Sequence, residues 1–194
     1  MSSHSKTGLL FGSFNPVHCG HLMIASYMAE YTDLDQVWFV VSPHNPLKEK
    51  STLLADHHRL AMVKLAIEDD RRFMASNIEF KMPQPSYTID TLTYLGEKHP
   101  STEFVLITGT DIFPTFHKWK NHEELLKQYR FYVYPRPGSS TSKFDRHPSL
   151  TYVDAPLISL SSSFIRKGIS EGRDMQHYLH ASVWKYIREM NFYR

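Results

Sequence analysis

Apolar runs and stretches of helical spacing alternate along most of the chain. Residues 37–41 and 104–107 are uniformly apolar, which is typical of strands buried on both faces of a sheet. Residues 55–69 instead place Leu60 and Val63 on one side of a helix. This alternation predicts an α/β protein whose parallel sheet is doubly wound. The predicted strands are 8–11, 37–41, 73–76, 104–107, 131–134 and 151–153, and the predicted helices run from the first turn to about residue 31, then 55–69, 88–98 and most of 163–194.

A polar turn connects the first predicted strand to the first predicted helix. Residues 12–21 read Gly-Ser-Phe-Asn-Pro-Val-His-Cys-Gly-His, and in an open α/β sheet such a turn lies at the carboxyl ends of the strands, where ligands bind. The first N–H groups of the following helix carry partial positive charge and suit a phosphate. Gly20 permits close backbone approach, and His18 and His21 can each donate a hydrogen bond to a phosphate oxygen. The alternative is an ordinary turn with two solvated histidines.

Composition narrows the class of protein. The 194 residues are 41% hydrophobic and 22% charged, which suits one domain with a real core. A net charge of +2 is too small to favour nucleic acid as a partner. One cysteine excludes an intramolecular disulfide framework and fits a reducing compartment. With no room for a signal peptide before the first strand and no long apolar run, we expect a cytoplasmic protein without a membrane partner, while a homo-oligomer stays possible.

Further polar residues follow other predicted strands. Lys48 lies in a proline-containing loop after the second strand, where its ammonium is either a point charge for phosphate or simply solvated. Gly109 and Asp111 follow the fourth strand, and the carboxylate can accept from a ribose hydroxyl or an adenine amine, or cap the next turn. Arg136 follows the fifth strand. Because the carboxyl ends of parallel strands share one edge, we expect these groups to converge on the opening turn.

Two predicted helices begin beside the same edge. Ser86 or Thr88 is expected to cap the third helix, whose first backbone N–H groups can also bind a carboxylate. Three serines at 161–163 open the C-terminal helical region, and Arg166 offers a bidentate fork one turn later. Trp119 is flanked by two lysines, so we expect it to be partly exposed and able to stack on a heterocycle.

The motifs together resemble a known family. Residues 12–21 match without a gap the G-x-F-(D/N)-P-x-H-x-G-H signature, and the chain resembles the HxGH nucleotidyltransferase family. The stretches 86–92, 116–121 and 134–138 are similar to those of the bacterial nicotinate-nucleotide adenylyltransferases. Residues 160–166, Leu-Ser-Ser-Ser-Phe-Ile-Arg, resemble the I-S-S-T-x-I-R motif of that group.

The resemblance implies a fold and a reaction. The expected fold is a Rossmann-like core over about 1–157 with a small C-terminal helical subdomain over about 158–194. The expected reaction transfers AMP from ATP to nicotinate mononucleotide, giving deamido-NAD and pyrophosphate in NAD biosynthesis. Mg²⁺ would accompany ATP, held mainly by phosphates and water. Alternatives are another HxGH nucleotidyltransferase acting on nicotinamide mononucleotide, phosphopantetheine or glycerol phosphate, or a non-catalytic nucleotide-binding sensor.

The resemblance also implies three overlapping groups of site residues. The catalytic group is His18, His21, Lys48 and Arg166. The ATP-binding group is Gly12, Ser13, Phe14, His18, His21, Gly109, Asp111, Arg136, Ser161, Ser162, Ser163, Ile165 and Arg166. The group that binds nicotinate mononucleotide is Ser13, Phe14, Lys48, Tyr87, Thr88 and Trp119. No protein cluster is expected to hold the metal.

Overall fold

A six-stranded sheet forms the centre of the molecule in the computed structural model, which describes residues 5–43, 53–138, 144 and 146–194. Every pair of neighbouring strands is parallel, and the order is β3-β2-β1-β4-β5-β6. The predicted doubly wound parallel sheet is therefore confirmed. The strands are β1 (Ser5–Gly12), β2 (Gln36–Val41), β3 (Phe73–Ser76), β4 (Thr102–Gly109), β5 (Arg130–Tyr134) and β6 (Leu150–Tyr152).

Helices connect the strands and follow the last one. The helix predicted at 88–98 has those bounds in the structure, whereas the predicted C-terminal helix is divided near Gly172, whose φ is 74°. The α-helices are α1 (Cys19–Tyr31), α2 (Asp56–Ile67), α3 (Thr88–Lys98), α4 (His122–Gln128), α5 (Ser162–Ser170) and α6 (Ala181–Glu189). Short 3-10 helices span Ile78–Lys81, Thr110–Lys118 and Gln176–Tyr178. No described helix has the length and apolar character needed to cross a membrane.

The sheet separates two apolar layers because successive side chains of a strand point to opposite faces. In β4, Val105 and Ile107 pack with α1, α2, α5 and α6, whereas Leu106 packs with α3, α4 and Phe116. The C-terminal helices belong to the first of these layers, where Ile187 of α6 is almost completely buried.

The strand order reverses at β1, which lies between β2 and β4. Ligands of open α/β sheets bind in the crevice beyond the strand ends at such a reversal. Gly12 is paired in register with Val41, and the backbone N–H of Ser42 donates to Gly12 O at 2.9 Å. The chain therefore leaves β1 and β2 at the same level, and the opening turn lies over this reversal.

The burial of α6 predicts how much this helix contributes to the free energy of unfolding. Replacing Ile187 by alanine removes a side chain that is 1% exposed, so the free energy of unfolding should fall by about 2–5 kcal/mol in urea titrations. Lys185→Ala, on the exposed side of the same helix, should change it by less than about 0.5 kcal/mol. Equal unfolding midpoints for Ile187→Ala and the wild type would show that α6 does not support this core.

Candidate active site

The turn after β1 has a backbone conformation that is rare for a residue with a side chain. Phe14 has φ of 46°, in the left-handed region. Its ring is 1% exposed and lies 5.0 Å from the His21 ring and 5.6 Å from the Phe39 ring. A Cβ on Gly12 would come within 2.9 Å of the Phe14 ring, so this position requires glycine. Phe14 therefore shapes the turn by burying its ring.

The C-terminal helices reach this turn directly. Arg166 Nη1 donates to Asn15 O at 2.9 Å, and Ser162 Oγ donates to Pro16 O at 2.9 Å. The hydroxyl of Tyr193 donates to Asn15 Oδ1 at 2.8 Å. These bonds place the start of α5 against the opening turn. The two segments were expected to bind the same phosphates, which requires them to lie side by side.

The three serines at the start of α5 have different roles. Ser161 Oγ accepts from the backbone N–H of Phe164 at 3.2 Å and caps the helix, whereas Ser163 Oγ accepts from Arg166 Nη2 at 3.3 Å. Ile165 is fully buried in the core. Its side chain packs inward because it lies on the apolar side of α5, so the predicted contact of Ile165 with ATP stays a prediction for the backbone at the start of the helix.

His18 and His21 stack on each other at the start of α1. Their ring centroids are 3.7 Å apart with an interplanar angle of 22°. The backbone N–H of His18 donates to His21 Nδ1 at 3.2 Å. Because Nδ1 of His21 accepts this bond, Nε2 carries the proton of the neutral ring.

His18 is a neutral imidazole at neutral pH. The residue is 4% exposed, and this burial, helped by the charge of Arg136, lowers its pKa to about 4. Its Nδ1 is buried and has no hydrogen-bond partner among the described residues. The role expected for His18, donation of a hydrogen bond to a phosphate oxygen, does not require a charged ring. The low pKa itself was not predicted, because spacing in a sequence carries no information about desolvation.

A second group lies at the end of β4 and β5. A Cβ on Gly109 would come within 2.4 Å of Asp111 Oδ1 and 2.6 Å of Arg136 Cγ. Glycine therefore leaves the space that these two side chains occupy against the backbone. Arg136 Nε lies 3.7 Å from Asp111 Oδ2, and Arg136 Nη1 donates to Ile158 O at 3.4 Å. The charge of Arg136 also helps to lower the pKa of His18, so this group lies near the opening turn.

The start of α3 differs from the prediction in one respect. Tyr87 occupies the N-cap position in an extended conformation, and neither Ser86 nor Thr88 caps the helix. The helix already begins at Thr88, which leaves Ser86 one position too early. The side chain of the N-cap residue Tyr87 makes no capping bond to the first N–H groups of α3, and such groups can bind a carboxylate.

The residue after Trp119, Lys120, contacts the start of α3. The indole is half-buried, with its ring 5.3 Å from Phe116. Lys120 Nζ lies 2.8 Å from Asp90 Oδ2 and 4.8 Å from the centre of the Tyr87 ring. Lys120 thus brings the chain segment that contains Trp119 to Tyr87, while the shared pocket of Tyr87, Thr88 and Trp119 stays a prediction. A cation also lies beside them, which the sequence motifs did not assign.

Two further observations concern residues outside these groups. The predicted phosphate ligand Lys48 lies outside the described residues. Arg59 of α2 is fully buried and donates to Ser13 O in the opening turn, a role that the sequence did not indicate. Within the described ranges, no three His, Cys, Asp or Glu side chains are grouped so that they could hold a metal ion.

Comparisons with known proteins show the family to which this chain belongs. A family model described as cytidylyltransferase-like matches residues 9–168. The chain is 52% identical to a "probable nicotinate-nucleotide adenylyltransferase" of Christiangramia forsetii over 97% of this chain and 98% of that protein. It is also 52% identical to a protein of that name from Flavobacterium johnsoniae over 97% and 99%. The chain therefore belongs to the nicotinate-nucleotide adenylyltransferase family, within the cytidylyltransferase-like class of nucleotidyltransferases.

A solved structure has the same fold at low identity. The nicotinic acid mononucleotide adenylyltransferase of Plasmodium falciparum in complex with NaAD has a TM-score of 0.84 and 22% identity, with 98% of each chain covered. A second structure of that enzyme, complexed with APC, has a TM-score of 0.81. The Rossmann-like α/β fold is thereby confirmed.

The low pKa of His18 predicts a pH dependence of stability. The unfolded chain binds a proton at His18 near its ordinary pKa of 6.5, whereas the folded chain excludes it down to about 4. The contribution of His18 to the free energy of unfolding is therefore fully present above pH 6.5. It is lost as the pH falls from 6.5 to about 4, by up to about 3 kcal/mol. Urea unfolding of His18→Asn should show a correspondingly smaller loss, while the exposed His117→Asn should follow the wild type. Parallel curves for the wild type and His18→Asn would contradict this assignment.

Proposed function

We propose that this chain transfers AMP from ATP to the 5′-phosphate of nicotinate mononucleotide, forming deamido-NAD and releasing pyrophosphate. The observation that carries this proposal is the 52% identity, over nearly the full length of both chains, to relatives named for that activity. The convergence of the opening turn, α5 and Arg136 on one sheet edge supports it, because three phosphates and an acceptor phosphate need several cationic and N–H donors together.

The reaction requires no nucleophile from the protein. The acceptor phosphate is itself an anion, and one of its oxygens attacks the α-phosphorus in line while the bond to pyrophosphate breaks. The protein contributes positioning and stabilisation of the charge that moves to pyrophosphate. His21 would donate through Nε2, since its Nδ1 is already used. His18 would donate as a neutral ring, and Arg136 and Arg166 would supply positive charge.

The same proposal assigns the two nucleotides to opposite sides of the turn. Asp111, beside Gly109 and Arg136, would hold the adenosine part of ATP. Tyr87, Thr88 and Trp119 would hold the nicotinate ring, with the uncapped N–H groups of α3 facing its carboxylate. A carboxylate accepts from such donors, whereas an amide places its own N–H groups against them, so this arrangement favours the acid over the amide.

Mg²⁺ enters this proposal as part of the Mg·ATP substrate. The described residues offer no carboxylate cage, and Mg²⁺ is commonly held by substrate phosphates and water with few protein ligands. The ion would neutralise phosphate charge when bound. We place the protein in the cytoplasm, for which a single cysteine is suitable.

Pyrophosphate release with different acceptors tests the proposed function. At equal concentrations, nicotinate mononucleotide should give the highest kcat/KM, followed by nicotinamide mononucleotide, with phosphopantetheine and glycerol phosphate inactive. A higher kcat/KM with another acceptor would identify a different transferase of the same class. Tight ATP binding with no turnover of any acceptor would instead support a nucleotide sensor.

Loss of a donor to the transition state should lower turnover. His18→Ala should reduce kcat by about 10²–10³ while the protein stays folded by circular dichroism. The exposed His117→Ala should retain the wild-type kcat. A near-normal kcat in folded His18→Ala would contradict the role assigned to this ring.

Removal of the indole should separate the two substrates. Trp119→Ala should raise the KM for nicotinate mononucleotide by roughly tenfold, because stacking of an aromatic ring contributes about 1 kcal/mol or more. The KM for ATP should stay near its normal value. Tyr94→Ala, which removes an exposed aromatic ring from α3, should change neither constant. Equal increases in both KM values for Trp119→Ala would contradict stacking on the pyridine ring.

A further inference from the structure

Arg59 uses all of its hydrogen-bond donors inside the protein. Its side chain is fully buried in the first turns of α2, and a guanidinium has five N–H groups. The acceptors are Leu54 O for Nε at 2.9 Å, Ser13 O and Ser42 O for Nη1 at 2.5 and 2.8 Å, and Pro43 O and Asp56 Oδ1 for Nη2 at 3.0 and 2.6 Å. The bonding capacity of this side chain is therefore fully occupied.

The acceptors come from three separate parts of the chain. Ser13 belongs to the opening turn, Ser42 follows the end of β2, and Leu54 precedes α2. The register of β1 with β2 ends at Gly12 and Val41, and beyond the bond from the Ser42 N–H to Gly12 O the regular ladder no longer pairs their backbone groups. Arg59 replaces that ladder with one rigid planar group, so the opening turn is fixed relative to β2 and α2.

Burying an arginine in the core has a large desolvation cost. Removing a guanidinium from water is unfavourable, and apolar residues of similar volume commonly serve stability as well or better. The one carboxylate that Arg59 contacts, Asp56, has a side chain that is 41% exposed. Burial lowers the pKa of Arg59, although a guanidinium keeps its charge in proteins. The guanidinium holds several backbone carbonyl groups in fixed orientations, which an apolar side chain cannot do.

The opening turn is the part of the site whose backbone carbonyls are oriented in this way. Arg59 binds the carbonyl of Ser13, and Arg166 binds the carbonyl of Asn15. Phe14 lies between them in its left-handed conformation. The chain then continues to His18 and His21, which are proposed to bind the phosphates of ATP.

We propose that Arg59 is a positioning residue for adenylyl transfer: it fixes the backbone of the opening turn so that His18 and His21 meet the phosphates of ATP. This proposal rests on the proposed function for the identity of the reaction. The requirement for Arg59 in ATP binding is independent of the acceptor.

Arg59→Lys tests the proposal, with Met62→Ala as the matched control. An ammonium cannot reach carbonyls in three directions, so the lysine variant should lose roughly 10² in kcat/KM for ATP, the size expected when reacting groups are misplaced by about 1 Å. Met62 is equally buried on α2 and belongs to the apolar core. Its alanine variant should be destabilised but should keep the kcat and both KM values of the wild type below its unfolding temperature.

Chemical rescue separates positioning from general support of the fold. Millimolar guanidinium should restore part of the kcat/KM of Arg59→Ala, whereas urea, which is planar but uncharged, should not. Wild-type kcat/KM in folded Arg59→Lys, or equal effects of guanidinium and urea on Arg59→Ala, would overturn the proposal.

Asp56→Asn keeps the test decisive if the Arg59 variants do not fold. It leaves four carbonyl bonds to the guanidinium and removes the charged anchor, so kcat/KM for ATP should fall several-fold while Met62→Ala stays normal. A wild-type value for Asp56→Asn in that case would overturn the proposal. ATP affinity without acceptor, measured by calorimetry, separates the two proposals: weaker binding in these variants supports the role of Arg59 even if nicotinate mononucleotide is not the acceptor.

Discussion

The left-handed backbone of Phe14 is the constraint on which the rest of the site depends. A bulky residue at positive φ is unfavourable and persists only where its surroundings determine it. Here the ring of Phe14 is buried against His21 and Phe39. The carbonyls on either side, of Ser13 and Asn15, are bound by buried or half-buried arginines, Arg59 and Arg166. The turn is therefore held through its side chain and through both neighbouring peptide groups.

This constraint joins the two ends of the chain. Tyr193 donates to the side chain of Asn15, and its hydroxyl is close enough to Arg59 and Arg166 that both charges oppose the increase in its pKa caused by burial. The C-terminal helices thus complete the turn that begins the fold and also share its core. The buried and neutral state of His18 has the same origin, since the packing that holds the turn also excludes water from the ring.

Local signals in the sequence were sufficient for the sheet and for part of the site. Buried parallel strands appear as continuous apolar runs, and the motifs at 12–21 and 161–166 each lie within one turn and one helix start. The unpredicted elements lack such signals: α4 spans seven residues, and the 3-10 helix before it contains Pro114.

Arg59 shows why the remaining part of the site could not be predicted. In the sequence it is one arginine in an otherwise ordinary helical pattern, whereas its partners Ser13 and Ser42 lie 46 and 17 positions away. The predicted cap of α3 was wrong, and the neutral state of His18 was not predicted, for a related reason: both depend on where the folded backbone turns and how much water it excludes.

A double-mutant cycle between Arg59→Lys and Arg166→Lys tests this account most directly, with kcat/KM for ATP as the measured quantity. Two residues that hold opposite sides of one turn should be coupled, because loss of either releases the conformation that the other supports. The combined loss should differ from the sum of the single losses by about 1 kcal/mol or more. Additivity within about 0.3 kcal/mol would show that the two arginines act independently, and would contradict the view that the turn is held between them.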